Sequence, residues 1–185
     1  MLATILSALA AIGLSAGLIL FARRKPGYRH RQHTISELGE WGTPDQRLVG
    51  YALFLPVGLA MLLVGGQLYA ASPPAGALGL CIAVGYLGAA AFPCDPGSPV
   101  SGSARQGMHN LAGAIEYLGG GAALLTLARA GGAPFQWAGA AVIGSAVALT
   151  VLPSTAPRGL VQRVAEVCLF GGLVCATNGL EHALF

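Results

Sequence analysis

The residues that are able to do chemistry gather in a few short stretches of an otherwise apolar chain. The stretch HTISELGEWG at His33–Gly42 carries a histidine, a serine and two glutamates, and FPCDPG at Phe92–Gly97 carries a cysteine and an aspartate. His109 and Glu116 follow. Imidazole and carboxylate groups bind metals and exchange protons, and hydroxyl or thiol groups act as nucleophiles. These stretches therefore define the candidate site.

The composition indicates a membrane protein. Of the 185 residues, 55% are hydrophobic and 9% are charged, and the mean hydropathy is +0.68. Soluble domains carry about 25% charged residues, whereas a spanning helix needs roughly 20 apolar residues, and this chain offers six such stretches. We therefore predict an all-α, polytopic membrane protein with a single domain, residues 1–185, built as a bundle of six transmembrane helices.

Capping residues set the predicted helix boundaries. Thr34 and Glu37 have the spacing of a capping box, which predicts a short interfacial helix at Ile35–Glu40, between helices one and two. Thr43 and the proline after it predict the start of the second helix. Four of the predicted membrane helices, the first, second, third and fifth, are Met1–Ala22, Pro44–Ala70, Ala75–Phe92 and Phe135–Leu152. The fourth is capped by Ser103 and ends at Ala130. The sixth is capped by Ser154 or Thr155 and runs almost to Phe185.

The basic residues are distributed unevenly between the two sides of the membrane. Arg129 lies alone on one side, and the other nine flank the loops after helices one, three and five. Because positive charge favours the cytoplasmic side, we predict a multi-pass protein of the cell membrane with both termini on the non-cytoplasmic side. The nine residues are Arg23, Arg24, Lys25, Arg29, Arg31, Arg47, Arg105, Arg158 and Arg163.

This topology places most of the acids and histidines near one membrane face. His109 and Glu116 share a stripe of the fourth helix with Gly113 and Gly120, at spacings of four, three and four. Acids inside a membrane are costly and usually face the bundle interior. If the loops after helices one and three meet, the candidate polar site consists of His33, Ser36, Glu37, Glu40, Asp95, His109 and Glu116.

Several of these residues also have a purely structural interpretation. Glu37 completes a capping box, Asp95 is a typical turn residue in DPG, and His109 is as well suited to a hydrogen bond within the bundle. Glu166 lies one turn after Arg163, so an ion pair is the leading interpretation. Glu116 has no local partner, and it is the deepest of the acids in the candidate set.

The motifs HTISELG and FPCDPG, with the following His109, resemble those of a bacterial and archaeal six-helix membrane family filed as domain of unknown function nine-nine-eight. That family is distantly similar to eukaryotic membrane proteins involved in autophagy modulation, lipid-anchor remodelling and phosphoinositide regulation. The resemblance covers the whole chain in helix count and loop order, and its specific part is Ile35–Gly39, Phe92–Gly97 and His109. It implies a six-helix fold with a polar cluster, and its link to lipid handling is an analogy.

Two functions fit these features. The first is lipid-headgroup binding or lipid handling near the cytoplasmic interface, with membrane lipids as partners. The basic residues that would assist it are Arg23, Arg24, Lys25, Arg29 and Arg31. The net charge of +3 does not indicate nucleic-acid binding, and association into a homo-oligomer stays open.

The alternative is a membrane-embedded hydrolase or transferase that acts on a lipid-like substrate. In one form His33, Asp95 and His109 bind a divalent metal that activates water. In another form Ser36 or Cys94 is the nucleophile. No HExxH-like motif is present, and the sequence leaves open whether the protein is an enzyme and whether it carries a cofactor.

Overall fold

Six helices, each long and apolar enough to cross a membrane, account for most of the chain. The computed structural model describes residues 1–183, which excludes the end of the predicted sixth helix. The prediction of an all-α six-helix membrane bundle is confirmed. The helices are α1 (Leu2–Arg24), α2 (Gln46–Tyr69), α3 (Pro73–Ala91), α4 (Ala104–Gly131), α5 (Ala133–Val151) and α6 (Arg158–Ala183).

Only some of the predicted helix starts are correct. The Ser103 hydroxyl accepts a hydrogen bond from the Gln106 N–H at 3.2 Å, so α4 begins where its capping signal predicts. The predicted cap of α2 is wrong, because the Thr43 hydroxyl donates to the Glu40 carbonyl at 2.9 Å and the helix begins two residues later than expected, at Gln46. The side chain of Gln46 instead accepts from the N–H of Gly42 at 2.9 Å.

The start of α6 is capped by a distant part of the chain. The N–H groups of Gly159 and Leu160 donate to the carbonyls of Gln32 and Arg31, at 3.1 and 3.0 Å. The first N–H groups of a helix lack partners within the helix, and here the loop after α1 supplies them. The helix therefore begins at Arg158, and the predicted cap at Ser154 or Thr155 is wrong.

In the part of the chain that the structure describes, two helices each contain one π-helical turn. In α2 the turn spans Gly50–Phe54 and ends two residues before Pro56, which has no N–H to donate to an earlier turn. The second turn, Ile115–Gly119, lies within α4 and includes Glu116 and Tyr117. Such turns distort a helix locally and occur frequently at functional sites.

The helices pack in chain order into a closed bundle. Each helix contacts the next one, α1 returns against α6, and α3 also contacts α6. At the α2–α3 contact, a Cβ built on Gly79 would lie 2.9 Å from the Cα of Gly65, so both positions must be small for the backbones to approach. Lipid provides little hydrophobic drive between helices, and close packing of this kind holds them together.

Three connections lie at one end of the bundle, which we call the odd-loop face: loop 1 (residues 25–45), loop 3 (92–103) and loop 5 (152–157). Loop 1 contains a short 3-10 helix, Ser36–Gly39, in place of the predicted Ile35–Glu40. The Trp41 N–H donates to the Cys94 carbonyl at 2.8 Å, and the guanidinium of Arg105 lies 4.1 Å from the Trp41 ring. Loops 1 and 3 therefore meet, as the candidate site requires.

Candidate functional site

A cavity of about 410 Å³ lies beneath the junction of loops 1 and 3. Its walls come from α3, α4, α5 and the start of α6 as well as from the two loops. The cavity therefore unites parts of the chain that are far apart in sequence. Its polar lining includes Thr34, Ser36, His109, Asn110, Glu116 and Gln162.

Part of the cavity wall is apolar and belongs to the outer surface of the bundle. Leu118 of α4 and Val147 of α5 line it, and they are 50% and 56% exposed. Both residues lie within membrane-spanning helices. The gap between α4 and α5 therefore opens toward the region that lipid chains occupy, while the polar groups lie inside.

Ser36, His109 and the end of α3 form a connected group. Nε2 of His109 lies 3.1 Å from Oγ of Ser36, and Nδ1 lies 2.9 Å from the carbonyl oxygen of Phe92. The Phe92 carbonyl is free to accept because α3 ends there, before Pro93. A serine of loop 1 is thus joined through a histidine to the backbone of another helix.

Glu116 is buried, with 6% of its surface exposed, and it lines the cavity. Its Oε1 has no hydrogen-bond partner among the residues that the structure describes. Gly85 of α3 faces the carboxyl group, and a Cβ at that position would overlap it. The Glu116 carboxyl group therefore fits against α3 only because residue 85 is a glycine.

Glu166 has two partners, and neither is the one expected. The hydroxyls of Tyr86 and Tyr117 each donate to its carboxylate at 2.8 Å. No ion pair with Arg163 occurs in the described part of the chain, because the Arg163 guanidinium donates to the hydroxyl of Tyr28 and to backbone carbonyls of loop 1. The predicted Arg163–Glu166 pair is therefore wrong.

A second void lies between the two buried acids. Its volume is about 20 Å³, which is enough for about one water molecule. Glu116, Glu166, Ser36 and Gln162 are among the residues that line it. The two carboxyl groups and the serine thus border one small space beside the main cavity.

Glu37 and Glu40 hold loop 1 in place. The Glu37 carboxylate accepts from the Thr34 N–H at 2.8 Å, and the Thr34 hydroxyl accepts from the Glu37 N–H at 3.3 Å, which is the reciprocal capping box. Glu40 pairs with Lys25 at 2.8 Å and accepts from the Gly97 N–H at 2.9 Å. Both acids therefore stabilise the conformation of loop 1, and neither of them lines the cavity.

Asp95 is anchored within loop 3 and the start of α4. Its carboxylate accepts from the N–H and the hydroxyl of Ser103, both at 2.8 Å, and pairs with Arg105 at 2.5 Å. The hydrogen bonds from Ser103, with a further contribution from Arg105, lower the pKa of Asp95 below its usual value. Asp95 therefore shapes the turn.

The three tentative metal ligands point to different partners. His33 accepts from the Arg29 N–H at 2.8 Å and packs on the Tyr28 ring at 5.4 Å. The Asp95 carboxylate accepts hydrogen bonds from Ser103 and Arg105. Nε2 of His109 lies within hydrogen-bonding distance of Ser36. Within residues 1–180, whose side chains the structure describes, no group of three or more His, Cys, Asp or Glu side chains is arranged to hold a metal ion.

Cys94 is poorly suited to act as a nucleophile. Its side chain is fully buried. Burial, and next the negative charges of Glu40 and Glu37, raise the pKa of the Cys94 thiol to about 12. The reactive thiolate is therefore scarce at neutral pH.

The basic segment proposed for headgroup binding divides into two groups. Arg24 pairs with Asp45 at 2.8 Å, and Lys25 pairs with Glu40. Arg23, Arg29 and Arg31 are exposed at the odd-loop face. The first group ties α1 to the following segment, and the second is accessible to charged molecules at the membrane surface.

Sequence reasoning missed several residues of this region. Tyr86 and Tyr117 hold Glu166, and Arg158 donates to the carbonyls of Gly97 and Ser98 at 3.1 and 2.7 Å, which fixes loop 3 over the cavity. One usable signal was available for α6. Gln162 and Glu166 are spaced by four residues in a largely apolar helix, which places both on one face.

The chain matches the family described as "Protein of unknown function (DUF998)" over residues 8–177. No curated protein matches the chain. No solved structure matches it either. Since the family match extends over most of the sequence and over all six helices, the chain belongs to this family of proteins of unknown function.

Proposed function

We propose that this protein binds a membrane lipid, or a lipid-like amphiphile, with the polar headgroup in the cavity near the odd-loop face. The observation that supports it is a cavity with polar groups at its inner wall and an apolar opening between α4 and α5. Its volume of about 410 Å³ falls within the range of about 300–1,000 Å³ usual for ligand sites. A headgroup fits inside while the chains remain in the bilayer.

The lining favours a headgroup that can donate hydrogen bonds. Glu116 lines the cavity, and its buried Oε1 has no partner among the described residues. A buried carboxyl without a partner is costly in a membrane. A hydroxyl or ammonium group of a ligand would lower that cost, and this makes Glu116 the residue on which selection among headgroups would depend.

The exposed arginines would increase the local concentration of anionic lipid. Arg23, Arg29 and Arg31 lie at the same face as the polar end of the cavity. A basic residue near an anionic leaflet contributes about 1 kcal/mol of attraction. On the charge distribution of the sequence, we take this face to be the cytoplasmic one.

Native mass spectrometry of the purified protein tests the proposal. We expect a lipid to be enriched over its share in the host membrane. Val147→Trp, which fills the opening, should lower that enrichment, while Val167→Trp should leave it unchanged, because Val167 is 72% exposed on α6 and does not line the cavity.

A variant of Glu116 tests the chemistry of the headgroup. Loss of one hydrogen bond to a charged group costs about 1.5–3 kcal/mol, so Glu116→Ala should lower the enrichment about tenfold or more. Absence of any enriched lipid in the wild-type protein would refute the proposal. If Val147→Trp and Glu116→Ala both enrich the lipid as strongly as the wild type, the lipid binds outside this cavity.

A further inference from the structure

The contact between Ser36 and His109 has the geometry of a nucleophile and its base. Oγ of Ser36 and Nε2 of His109 are 3.1 Å apart, within hydrogen-bonding reach. Both residues line the large cavity. The pair is therefore placed where a molecule in the cavity would meet the serine.

The Phe92 carbonyl determines which nitrogen of His109 carries the proton. A carbonyl oxygen can only accept, so Nδ1 at 2.9 Å from it must be the donor. In the neutral ring, Nε2 is then the acceptor, and the Ser36 hydroxyl donates to it. A general base requires this tautomer, with a third group that orients the ring.

Ser36 and His109 are held by independent supports. Ser36 begins the 3-10 helix and lies within the Thr34–Glu37 capping box, and the adjacent Ile35 N–H donates to Oε1 of Gln162 at 2.6 Å. His109 lies in the second turn of α4. These supports hold the serine hydroxyl and the imidazole ring in position before a ligand binds. Such preorganisation of the reacting groups favours catalysis.

We propose that Ser36 is the nucleophile and His109 the general base of a serine hydrolase that cleaves a carboxylic ester of a membrane lipid. This inference rests on the proposed function, since the ester must enter through the opening between α4 and α5. The apolar opening favours a substrate with an acyl chain. The polar end then holds the alcohol portion of the ester.

The reaction proceeds in two steps. Ser36 Oγ bonds to the ester carbonyl carbon as its proton passes to Nε2 of His109, and the bond from that carbon to the alcohol oxygen breaks as the alcohol takes the proton. Water then adds to the acyl-serine and gives a proton to Nε2. The bond to Oγ breaks, and Oγ recovers this proton. The net change is ester plus water to carboxylic acid plus alcohol.

The other nucleophile considered, Cys94, does not share these features. It is fully buried and is not among the residues that line the cavity. Asp95 and His33 are bound to other groups. The proposed machinery is therefore confined to Ser36 and His109, with the Phe92 carbonyl as the group that orients the ring.

Covalent labelling of the full-length protein tests the inference. We would place it in nanodiscs of phosphatidylethanolamine and phosphatidylglycerol, add an alkyl fluorophosphonate, and locate the adduct by peptide mass spectrometry. We expect an adduct on Ser36. His109→Gln should slow its formation about 100-fold or more, since a general base contributes about that much. Ser101→Ala, at an exposed serine of loop 3 outside the cavity lining, should label at the wild-type rate.

A second readout is the release of fatty acid from acyl-labelled phosphatidylglycerol, which should disappear in Ser36→Ala. No adduct on Ser36 in the wild type, or equal labelling of His109→Gln, would overturn the inference, and the wild-type measurement does not depend on the folding of any variant. Native mass spectrometry separates the two proposals. Enriched lipid without labelling refutes only the hydrolase, whereas no enriched lipid refutes the binding function.

Discussion

The hydroxyl of Tyr117 donates to Oε1 of Glu166 at 2.8 Å, and so joins α4 to α6 within the bundle. Tyr86 of α3 donates to the other carboxylate oxygen at the same distance. One buried acid therefore connects three helices beside the cavity. We infer that this cluster holds the inner wall of the cavity in a fixed shape.

Loss of these hydrogen bonds should destabilise the bundle. Hydrogen bonds between membrane helices contribute about 0.6 kcal/mol on average and up to about 1.7, so we expect Tyr86→Phe and Tyr117→Phe each to cost about 0.5–2 kcal/mol. The double variant should cost more than the sum, because Glu166 is then left without either donor. Unfolding in mixed micelles measures these values.

The control for the tyrosine variants is Tyr69→Phe, at a residue that is 52% exposed. It should change the free energy of unfolding by much less. A double variant that is no less stable than the wild type would show that the cluster does not hold the helices together.

Asp95 should make the loop 3 region sensitive to acid. Its pKa is lowered in the folded protein by Ser103 and Arg105, so its stabilising effect is present above the pKa of the unfolded chain and is lost as the pH falls through the folded pKa. We expect Asp95→Asn to lower the melting temperature at pH 7, and expect the difference from the wild type to shrink steadily below about pH 4.

Asp45→Asn is the matched comparison for this pH effect. Asp45 pairs with Arg24, whose side chain is 53% exposed, and exposed ion pairs contribute little. The melting temperature at pH 7 should therefore fall less than in Asp95→Asn. A larger loss in Asp45→Asn would mean that the network around Asp95 is not the stronger anchor.

Cys94 should resist alkylation in the folded protein. Its buried thiol, with the pKa raised to about 12, is almost entirely protonated at neutral pH. We expect slow reaction with a maleimide at pH 7 and fast reaction after denaturation in detergent, as read by peptide mass spectrometry. Rapid labelling of the folded protein would contradict both the burial and the raised pKa.

The six helices and the odd-loop face were predictable because hydropathy and charge are properties of the local sequence. The hydrogen-bond partners were not. Arg163 was expected to pair with Glu166 one turn away, but it donates to loop 1, which lies 130 positions or more earlier. The start of α6 was missed for the same reason, since its caps are the carbonyls of Arg31 and Gln32.

The candidate site was predicted in outline only. The sequence offered a site near His109 on the condition that loops 1 and 3 meet, and the contacts of Trp41 and Glu40 with loop 3 meet that condition. It did not predict that Ser36, rather than His33 or Asp95, would be the partner of His109. That choice depends on the rotation of a short 3-10 helix, which its own four residues do not determine.

The orientation in the membrane stays a prediction from charge. We expect a cysteine introduced at Ser101, in loop 3, to react with a membrane-impermeant maleimide only after the cells are permeabilised. A cysteine at Ser72, between α2 and α3, should react in intact cells. A variant with all four native cysteines, Cys81, Cys94, Cys168 and Cys175, changed to serine would be the common background for both introduced cysteines. The reverse pattern would invert the topology and place the cavity nearer the outer leaflet.

A density map of the wild-type protein in a lipid nanodisc tests the central claim most directly. The account predicts elongated density that enters between Leu118 and Val147 and ends in a headgroup beside Glu116, Ser36 and His109. A gap between α4 and α5 that is closed by side chains, or a cavity that holds only water, would contradict it.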